Sequence, residues 1–349
     1  MEGAVIVVDA MGGDHGPGPV VEGACEAARV TRAQLELVGE PSLVEPLVAK
    51  FGDPERRLRV IPAEGVIAMD AKPRVALAEQ PQASLPVAAR RVADGGQRYA
   101  MVSSGNTGAV VLSCAGAFKR IPGVRRTALA AVMPTEKRRG EKDDPFSLVL
   151  DVGATLRVDA EDLATFAVMG STYASIVSKN VSPRVALLSN GTEPTKGLPE
   201  IVAAHALIRD LPGIRFIGNI EGLHLPRGAA DVVVCDGFTG NITVKMLEGI
   251  FEGIVDMARY AQRSKMTWRF GLWLLENGIR RLKEVTDWQQ YGGAPILGFD
   301  RLCIKAHGRS GARAVRNAIR VAERCLAQDL CARIEDGLRD QKAERADAS

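Results

Sequence analysis

The sequence predicts a three-layer α/β/α fold with a mostly parallel sheet, and three observations support this. Short apolar runs alternate with helix-like segments along most of the chain. Most runs are apolar throughout, which is typical of strands covered by helices on both faces. Polar, glycine-rich turns follow several runs directly, where open α/β sheets carry their ligands. We expect a single α/β/α domain over residues 1–340, a protruding helical hairpin inserted at about 242–288, and a polar tail at 341–349.

The first half of the chain is divided into elements by its apolar periodicity and by the Gly, Pro and Asp residues that interrupt it. Runs rich in Val, Ile and Leu mark strands, and longer segments with apolar residues three or four positions apart mark helices. We predict strands at 4–8, 35–39, 58–61, 99–103 and 128–133, and helices at 20–31, 42–51, 83–94 and 109–118. A loop is expected at 64–73.

The second half continues the same alternation. We predict strands at 148–150, 185–188, 215–217, 232–235, 296–299 and 302–304, and helices at 160–179, 197–211, 242–262, 272–287 and 311–336. The helices at 242–262 and 272–287 form the predicted hairpin. A length of 349 residues also allows two domains, and the pattern alone leaves that alternative open.

Composition excludes several classes of protein. A net charge of +3, from 45 basic and 42 acidic residues, gives no basic surface of the kind that binds nucleic acid. The six cysteines form no C-x-x-C pair and show no metal-ligand spacing, so we expect no metal and no cofactor. The chain begins with a strand rather than a signal peptide, and no apolar run approaches the ~20 residues of a membrane span. We therefore expect a cytoplasmic protein.

Two turns have the same design, with a strand before them and a predicted helix after them. Such a turn offers backbone N–H groups and the positive end of a helix, which together favour phosphate. The residues expected to hold phosphate are Ser104, Gly105, Asn106, Thr107 and Gly108 in the first turn, and Gly237, Thr239, Gly240 and Asn241 in the second, which Asp236 opens. The alternative is that each glycine simply ends a strand.

Three further polar turns also follow strands. They contain Asp9, Gly12, Gly13 and Asp14 in the first, Asp151 in the second, and Asn190 with Lys196 in the third. Because parallel strands end at the same edge of a sheet, we expect all five turns to share one edge and to form a single site. For Asp14 the alternative is a helix cap.

The chemistry of the site is indicated by Lys305 and His307, which follow the last predicted strand. The chain lacks a G-x-S-x-G elbow, a P-loop and an H-E-x-x-H motif, so a serine hydrolase, a P-loop enzyme and a zinc protease are not indicated. His307 is a candidate proton donor to a leaving group, and its alternative is a buried, hydrogen-bonded histidine.

The segment between the two long predicted helices combines apolar and cationic residues. Met266, Trp268, Phe270 and Trp273 lie beside Arg263, Lys265 and Arg269 in this stretch. Apolar side chains fringed by cations are typical of contact with a bilayer surface. A dimer interface and a lid over a substrate channel are the alternatives.

Eight motifs together carry a resemblance to a known family. They are VDAMGGDHGP at 8–17, SSGNTGA at 103–109, DVGA at 151–154, FAVMGS at 166–171, LLSNGTEPTKG at 187–197, CDGFTGN at 235–241, GGAPILG at 292–298 and IKAHGRS at 304–310. In this order they resemble the bacterial phosphate acyltransferases (PlsX family), and the resemblance covers nearly the whole chain.

The resemblance implies acyl transfer from acyl-(acyl carrier protein) to inorganic phosphate, which gives the acyl phosphate used in phospholipid synthesis. It also implies a homodimer with the sheet of phosphate acetyltransferases and isocitrate-type dehydrogenases. An acyl phosphate is delivered to a membrane acyltransferase, so the protein is expected to be cytoplasmic and peripherally membrane-associated.

We expect direct attack by phosphate held by Gly105, Asn106, Thr107 and Lys196 and by N–H groups near Gly240 and Asn241. Asp236 is expected to orient a partner such as Lys305, and His307 or Lys305 to protonate the thiolate. Two other functions stay open, an NAD-dependent decarboxylating dehydrogenase of the same fold and a non-enzymatic lipid-binding scaffold.

Overall fold

A computed structural model describes residues 3–53, 55–135, 146–264, 266–275 and 292–347. Its strands form one sheet, which matches the expected α/β architecture. The strands are β1 (Val5–Asp9), β2 (Gln34–Gly39), β3 (Leu58–Pro62), β4 (Tyr99–Ser103), β5 (Ala128–Pro134), β6 (Phe146–Leu150), β7 (Arg184–Leu188), β8 (Arg215–Ile220), β9 (Val232–Val234), β10 (Ala294–Leu297) and β11 (Leu302–Lys305).

Helices connect most of these strands. In the described part of the chain they are α1 (Pro17–Ala28), α2 (Pro41–Phe51), α3 (Pro73–Glu79), α4 (Ser84–Gly95), α5 (Thr107–Ala117), α6 (Ala160–Val177), α7 (Pro199–Arg209), α8 (Gly237–Ser264), α9 (Met266–Leu274), α10 (Ala312–Ala327) and α11 (Leu330–Asp347). None of the helices searched is long and apolar enough to cross a bilayer.

The sheet has the strand order β3-β2-β1-β4-β11-β10-β5-β6-β9-β7-β8. On one side, β3, β2, β1, β4 and β11 are mutually parallel. On the other side, β6, β9, β7 and β8 are mutually parallel. The antiparallel pairings of β10 with both of its neighbours and of β5 with β6 join the two groups. The two parallel groups therefore run in opposite directions.

This reversal corrects the expectation that all five polar turns share one edge. The strands that end at Asp9, Ser103 and Lys305 finish at one edge of the sheet, which we call the first edge. The strands that lead into Asp151, Asn190 and Asp236 finish at the opposite, second edge. The turns after β4 and β9 are also five strand spacings apart, roughly 24 Å. They cannot face a single small anion.

Side chains on the two faces of the sheet pack into separate apolar layers. In β1, Ile6 and Val8 join the layer formed with α1, α6 and α10. Val7 points to the other face, where it joins the layer formed with α4 and α5. Because both faces are covered, these strands carry continuous apolar runs, and this is why they could be recognised in the sequence. The layers on both faces agree with the predicted three-layer arrangement.

Several element boundaries differ from the prediction. Helix α8 begins at Gly237 rather than at 242, and α3 follows the loop predicted at 64–73. The predicted link at Met266–Leu274 is itself helical, and the second arm of the predicted hairpin, 272–287, lies mostly outside the described residues. At the C-terminus, two helices replace the single one predicted, and α11 runs on to Asp347 through most of the predicted tail.

Candidate functional site

Asp9 ends β1 at the first edge and is 1% exposed. Its Oδ1 accepts a hydrogen bond from Ser84 Oγ at 2.6 Å, and its Oδ2 accepts one from Ser103 Oγ at 2.7 Å. Burial raises the pKa of the Asp9 carboxyl, while these hydroxyl bonds and backbone bonds from Met11 and Gly12 lower it. A buried carboxylate repels a phosphate dianion, so Asp9 is better placed to balance a cation than to bind phosphate as predicted.

The loops after β1 and β4 touch at a glycine. A Cβ atom on Gly12 would lie 2.6 Å from Asp9 Oδ2 and 2.8 Å from the backbone nitrogen of Gly105. Such distances are far inside van der Waals contact, so only glycine fits there. The Gly105 N–H in turn donates to Ser103 Oγ at 3.0 Å. Two of the predicted turns are therefore built into one structure around Asp9.

The Asn106 side chain has a different role from the one predicted. Its Oδ1 accepts from the N–H of Ala109 at 3.1 Å and so caps the start of α5. Its Nδ2 donates to the carbonyl oxygens of Met69 and Ala71 at 2.8 and 3.2 Å. The amide is thus occupied by protein groups, and the expected phosphate contact from this side chain is not available.

Backbone donors remain at the same turn. Thr107 and Gly108 occupy the first two positions of α5, where N–H groups have no intrahelical acceptor. In the described part of the chain no protein acceptor meets either group. Ser104 and Gly105, also expected here, are buried just before them. The start of α5 therefore keeps backbone donors of the kind that bind an anion.

Lys305 ends β11 beside this turn and is 6% exposed. It is the register partner of Ser103 in β4, and its Nζ donates to the carbonyl oxygen of Ala306. Burial lowers the pKa of the ammonium to about 8, while the negative charges of Asp9 and Asp14 oppose this shift. A cation that is mostly protonated at neutral pH is therefore held in a poorly hydrated site.

The loop after Lys305 completes the first edge. The carbonyl oxygen of Gly308 accepts from the Asp14 N–H at 2.9 Å, which joins this loop to that of Gly13 and Asp14. Burial lowers the pKa of His307, so its ring is mostly neutral at neutral pH. His307 Nδ1 accepts from the Arg309 N–H at 3.2 Å, which places the ring proton on Nε2. These observations favour Lys305 over His307 as a proton source.

The predicted phosphate turn at the second edge is instead a closed helix start. Asp236 Oδ1 accepts from the N–H groups of Phe238 and Thr239, and its Oδ2 accepts from Thr239 Oγ1. The N–H groups of Gly237 and Gly240 donate to Thr155 O and Asp236 O, both at 2.9 Å. The carboxylate that caps α8 thus takes the place of an anion, so the backbone N–H groups at Gly240 and just before it are not available to phosphate as predicted. Asn241 likewise lies within α8.

The other predicted residues at this edge have structural contacts as well. Asp151 is fully buried and accepts from the N–H groups of Leu129, Gly153, Ala154 and Thr155 at 2.6–3.0 Å. Asn190 and Lys196 are exposed in the loop after β7. Because they and Asp236 lie at the second edge, they are not positioned to share a phosphate with Thr107 or to orient Lys305, as had been expected.

Three serines belong to the first edge and were not among the predicted site residues. Ser84 and Ser103 hydrogen-bond to Asp9. Ser310 is 3% exposed, and its hydroxyl has no hydrogen-bond partner in the parts of the chain that the structure describes. Ser103 and Ser310 lie inside motifs that the sequence analysis used, but Ser84 has no sequence signal that connects it with Asp9.

Comparison with known proteins places the chain in a family. Residues 4–333 match a family model described as "Fatty acid synthesis protein". The chain belongs to this family. A phosphate acyltransferase from Heliobacterium modesticaldum is 41% identical over 332 residues, which cover 95% of this chain and 96% of that protein. One from Stutzerimonas stutzeri is 40% identical over 340 residues, covering 97% and 93%. The resemblance noted in the sequence is thereby confirmed.

Solved structures of other proteins share the fold of this chain. A phosphotransacetylase from Streptococcus pyogenes aligns with a TM-score of 0.61 at 18% identity, covering 93% of this chain and 94% of that one. A branched-chain phosphotransacylase from Enterococcus faecalis V583 aligns with a TM-score of 0.52 at 14% identity, covering 92% and 98%. These likenesses confirm the predicted α/β/α fold.

Proposed function

We propose that this protein transfers an acyl group from a thioester to inorganic phosphate. The observation that carries the proposal is the buried ammonium of Lys305, which lies across the β4–β11 ladder from the turn that opens α5. A buried cation beside the N–H groups of Thr107 and Gly108 provides what a small dianion requires. Relatives named phosphate acyltransferase, similar over more than nine tenths of the chain, support the same reaction.

The reaction follows from the charges at this edge. Phosphate is partly a dianion near neutral pH, so one of its oxygens attacks the thioester carbonyl without a strong protein base. The carbon–sulfur bond then breaks, and Lys305 gives a proton to the departing thiolate. A pKa of about 8 for Lys305 is close to that of an ordinary thiol, about 8.5, so this proton transfer costs little free energy. Neutral His307 contributes a hydrogen bond rather than the proton.

The first prediction is that thiol release from an acyl thioester depends on phosphate and saturates with it. One assay measures free thiol while phosphate is varied. In a separate reaction hydroxylamine converts the acyl phosphate to a hydroxamate, which is counted beyond the amount formed without phosphate. Phosphate-independent release would instead indicate a thioesterase. A change in absorbance at 340 nm with NAD and hydroxy acids would favour the dehydrogenase alternative, and no turnover of any acyl thioester would favour the lipid-binding scaffold.

We further propose that the acyl donor is acyl-(acyl carrier protein) and that the acyl phosphate serves phospholipid synthesis in the cytoplasm. The support is the family itself, whose description refers to fatty acid synthesis. The same assay tests the donor. We expect kcat/KM for the carrier-protein thioester to exceed that for the matching coenzyme A thioester by at least about tenfold, because only the protein thioester brings extra contact surface.

Helix α8 supports the proposal of a homodimer. Phe238, Ile242, Met246, Ile250 and Ile254 follow one another every fourth residue, and each is about half exposed or more. Single apolar residues are common on protein surfaces, but a continuous stripe of five marks an interaction site. A second copy of the chain, packed against the same stripe by a two-fold axis, would cover both surfaces at once.

The tip beyond α8 supports the proposal of peripheral membrane contact. Met266, Phe270 and Leu274 recur every fourth residue along α9, and each is more than 60% exposed. Trp268 and Trp273 belong to the same helix, and their side chains lie outside the described residues. An apolar helix face next to basic residues is suited to insertion among anionic headgroups.

The second prediction separates these two surfaces with a pair of variants. Ile250→Lys places a charge in the middle of the α8 stripe and is expected to convert a dimer into monomers by size-exclusion chromatography with light scattering. Met266→Ser/Leu274→Ser is expected to stay dimeric and to lose co-sedimentation with anionic vesicles. If Ile250→Lys stays dimeric, α8 is not the interface. If the α9 variant still sediments with vesicles, the tip is not the membrane contact.

A further inference from the structure

Ser84 occupies the first position of α4 and is completely buried. Its hydroxyl donates to Asp9 Oδ1 at 2.6 Å, and the other hydroxyl bond to this carboxylate, from Ser103, is 2.7 Å long. The start of α4 also directs the positive end of a helix towards Asp9. Ser84 is 75 positions from Asp9 in the sequence, so only the fold brings the two side chains together. Its location is therefore suited to controlling the charge of Asp9.

Asp9, Ser103 and Lys305 occupy one row across the sheet. Asp9 pairs in register with Ser103, and Ser103 pairs with Lys305, on the adjacent strands β1, β4 and β11. Side chains in the same register row point to the same face, so all three project to the α4 and α5 side. The carboxylate that Ser84 binds thus lies two strands away from the ammonium of Lys305.

We propose that Ser84 is a positioning residue for the reaction: its hydroxyl holds the Asp9 carboxylate in its charged form, and that charge keeps the buried Lys305 ammonium protonated. The role in catalysis rests on the proposed function, whereas the link between Ser84 and Lys305 does not. Loss of the hydroxyl removes one of the bonds that oppose the effect of burial on Asp9. Asp9 then takes up a proton more readily, and Lys305 loses its counter-charge.

Other charged groups also act on Lys305. Asp14, in the loop after β1, favours its protonated form, and Lys245 of α8 disfavours it. His307 interacts with it from the following loop, and Cys303 lies on its own strand. Asp14 and Lys245 are exposed, so salt and water screen their charges. Asp9 is the buried carboxylate of this group, and its charge is screened least.

The test compares Ser84→Ala with Ser113→Ala. Ser113 is also buried, and its hydroxyl has no partner among the described residues, so it controls for the loss of a buried hydroxyl. In Ser84→Ala we expect the fall of kcat/KM at high pH to occur about half a pH unit lower or more. In Ser113→Ala the pH at which kcat/KM falls should not change. Asp9→Asn, which removes the charge at nearly constant shape, should lower this pH by at least as much. An unchanged pH of this fall in both Ser84→Ala and Asp9→Asn would overturn the proposal.

A second measurement does not depend on the reaction. Lys305 has a pKa of about 8 when folded and about 10.4 when unfolded, so the unfolded chain binds more protons between these values and stability rises with pH there. In Ser84→Ala this rise should begin at lower pH than in the wild type. In a Lys305→Met background, Ser84→Ala should leave the curve unshifted above pH 7. If Ser84→Ala leaves the stability curve unshifted while Lys305 is present, the proposed role of Ser84 is contradicted. If only the thiol assay fails, the proposed function alone is contradicted.

Discussion

Replacing Lys305 by methionine is expected to lower kcat/KM for phosphate-dependent thiol release by at least about 10²–10³-fold. Methionine keeps the length and apolar stem of lysine but removes both the cation and its proton. The site then loses the charge that attracts phosphate and the acid that serves the leaving thiolate, and each effect is commonly worth about 10²-fold or more. Because the ammonium is buried, bulk cations do not replace it.

The measurement is steady-state kinetics with phosphate varied at saturating thioester. Lys245→Met is the matched control, since Lys245 is an exposed cation near the same loop, and it is expected to change kcat/KM by less than about threefold. The same Lys305→Met variant should be more stable at neutral pH, on the order of 2–3 kcal/mol, because a buried charge with a lowered pKa destabilises the fold below that pKa. Near-normal turnover in a stable Lys305→Met variant would remove Lys305 from the mechanism.

Gly240→Ala is expected to destabilise the fold by about 3 kcal/mol or more, the upper end of what overpacking costs. A Cβ atom at this position would lie 1.9 Å from the carbonyl oxygen of Asp151 and 2.8 Å from Cys235 Sγ. The first of these is a backbone atom, held in place by the strand β6 and by the hydrogen bond from the Cys235 thiol. A backbone carbonyl cannot rotate away as a side chain can, so α8 must shift from the sheet, and overpacking of this kind is among the most costly substitutions.

Urea unfolding measures this effect, with Gly116→Ala as the control. Gly116 lies in α5, and a Cβ added there meets nothing within 4 Å. Alanine is the better helix former, so this variant should gain up to about 1 kcal/mol. A loss of less than about 1 kcal/mol in Gly240→Ala would show that the start of α8 adjusts freely and that the close approach to Asp151 does not limit it.

The strands were predictable because most are buried on both faces and therefore apolar at every position. Their directions were not read correctly, although the sequence holds a signal. Only eleven residues separate Pro134 from Phe146, and a parallel crossover needs a dozen or more, usually including a helix. The short connection between β5 and β6 therefore requires an antiparallel pair.

The two glycine-rich turns have similar sequences because both place the free N–H groups of a helix start after a strand. Those N–H groups can bind either a phosphate or the carboxylate of the capping residue. Asp236 and Asn106 both cap helices, yet Asp236 brings a negative charge and Asn106 does not. A carboxylate at the cap already neutralises the positive helix end, so an external anion gains little there. The charge of the capping residue was thus the feature that distinguished the two turns.

Contacts between distant segments account for what the sequence could not predict. Ser84 and Asp9 are joined only by the fold, and neither residue type nor spacing indicates their pairing. Lys305 was recognised as a candidate because it follows a predicted strand, but the burial of its side chain is a property of the fold. The identity of the site residues was therefore partly visible in the motifs, whereas their electrostatic roles required the structure.

The central position of β10 and β11 has a consequence for the synthesis of the protein. These strands lie between β4 and β5 in the sheet, yet about 160 residues separate Pro134 from Ala294 in the chain. A ribosome needs roughly 10–30 s to add that many residues. Throughout this interval the nascent chain has two open strand edges of apolar sequence, which are the surfaces that pair with other chains. We expect translation-coupled chaperones to bind this protein until its last strands emerge.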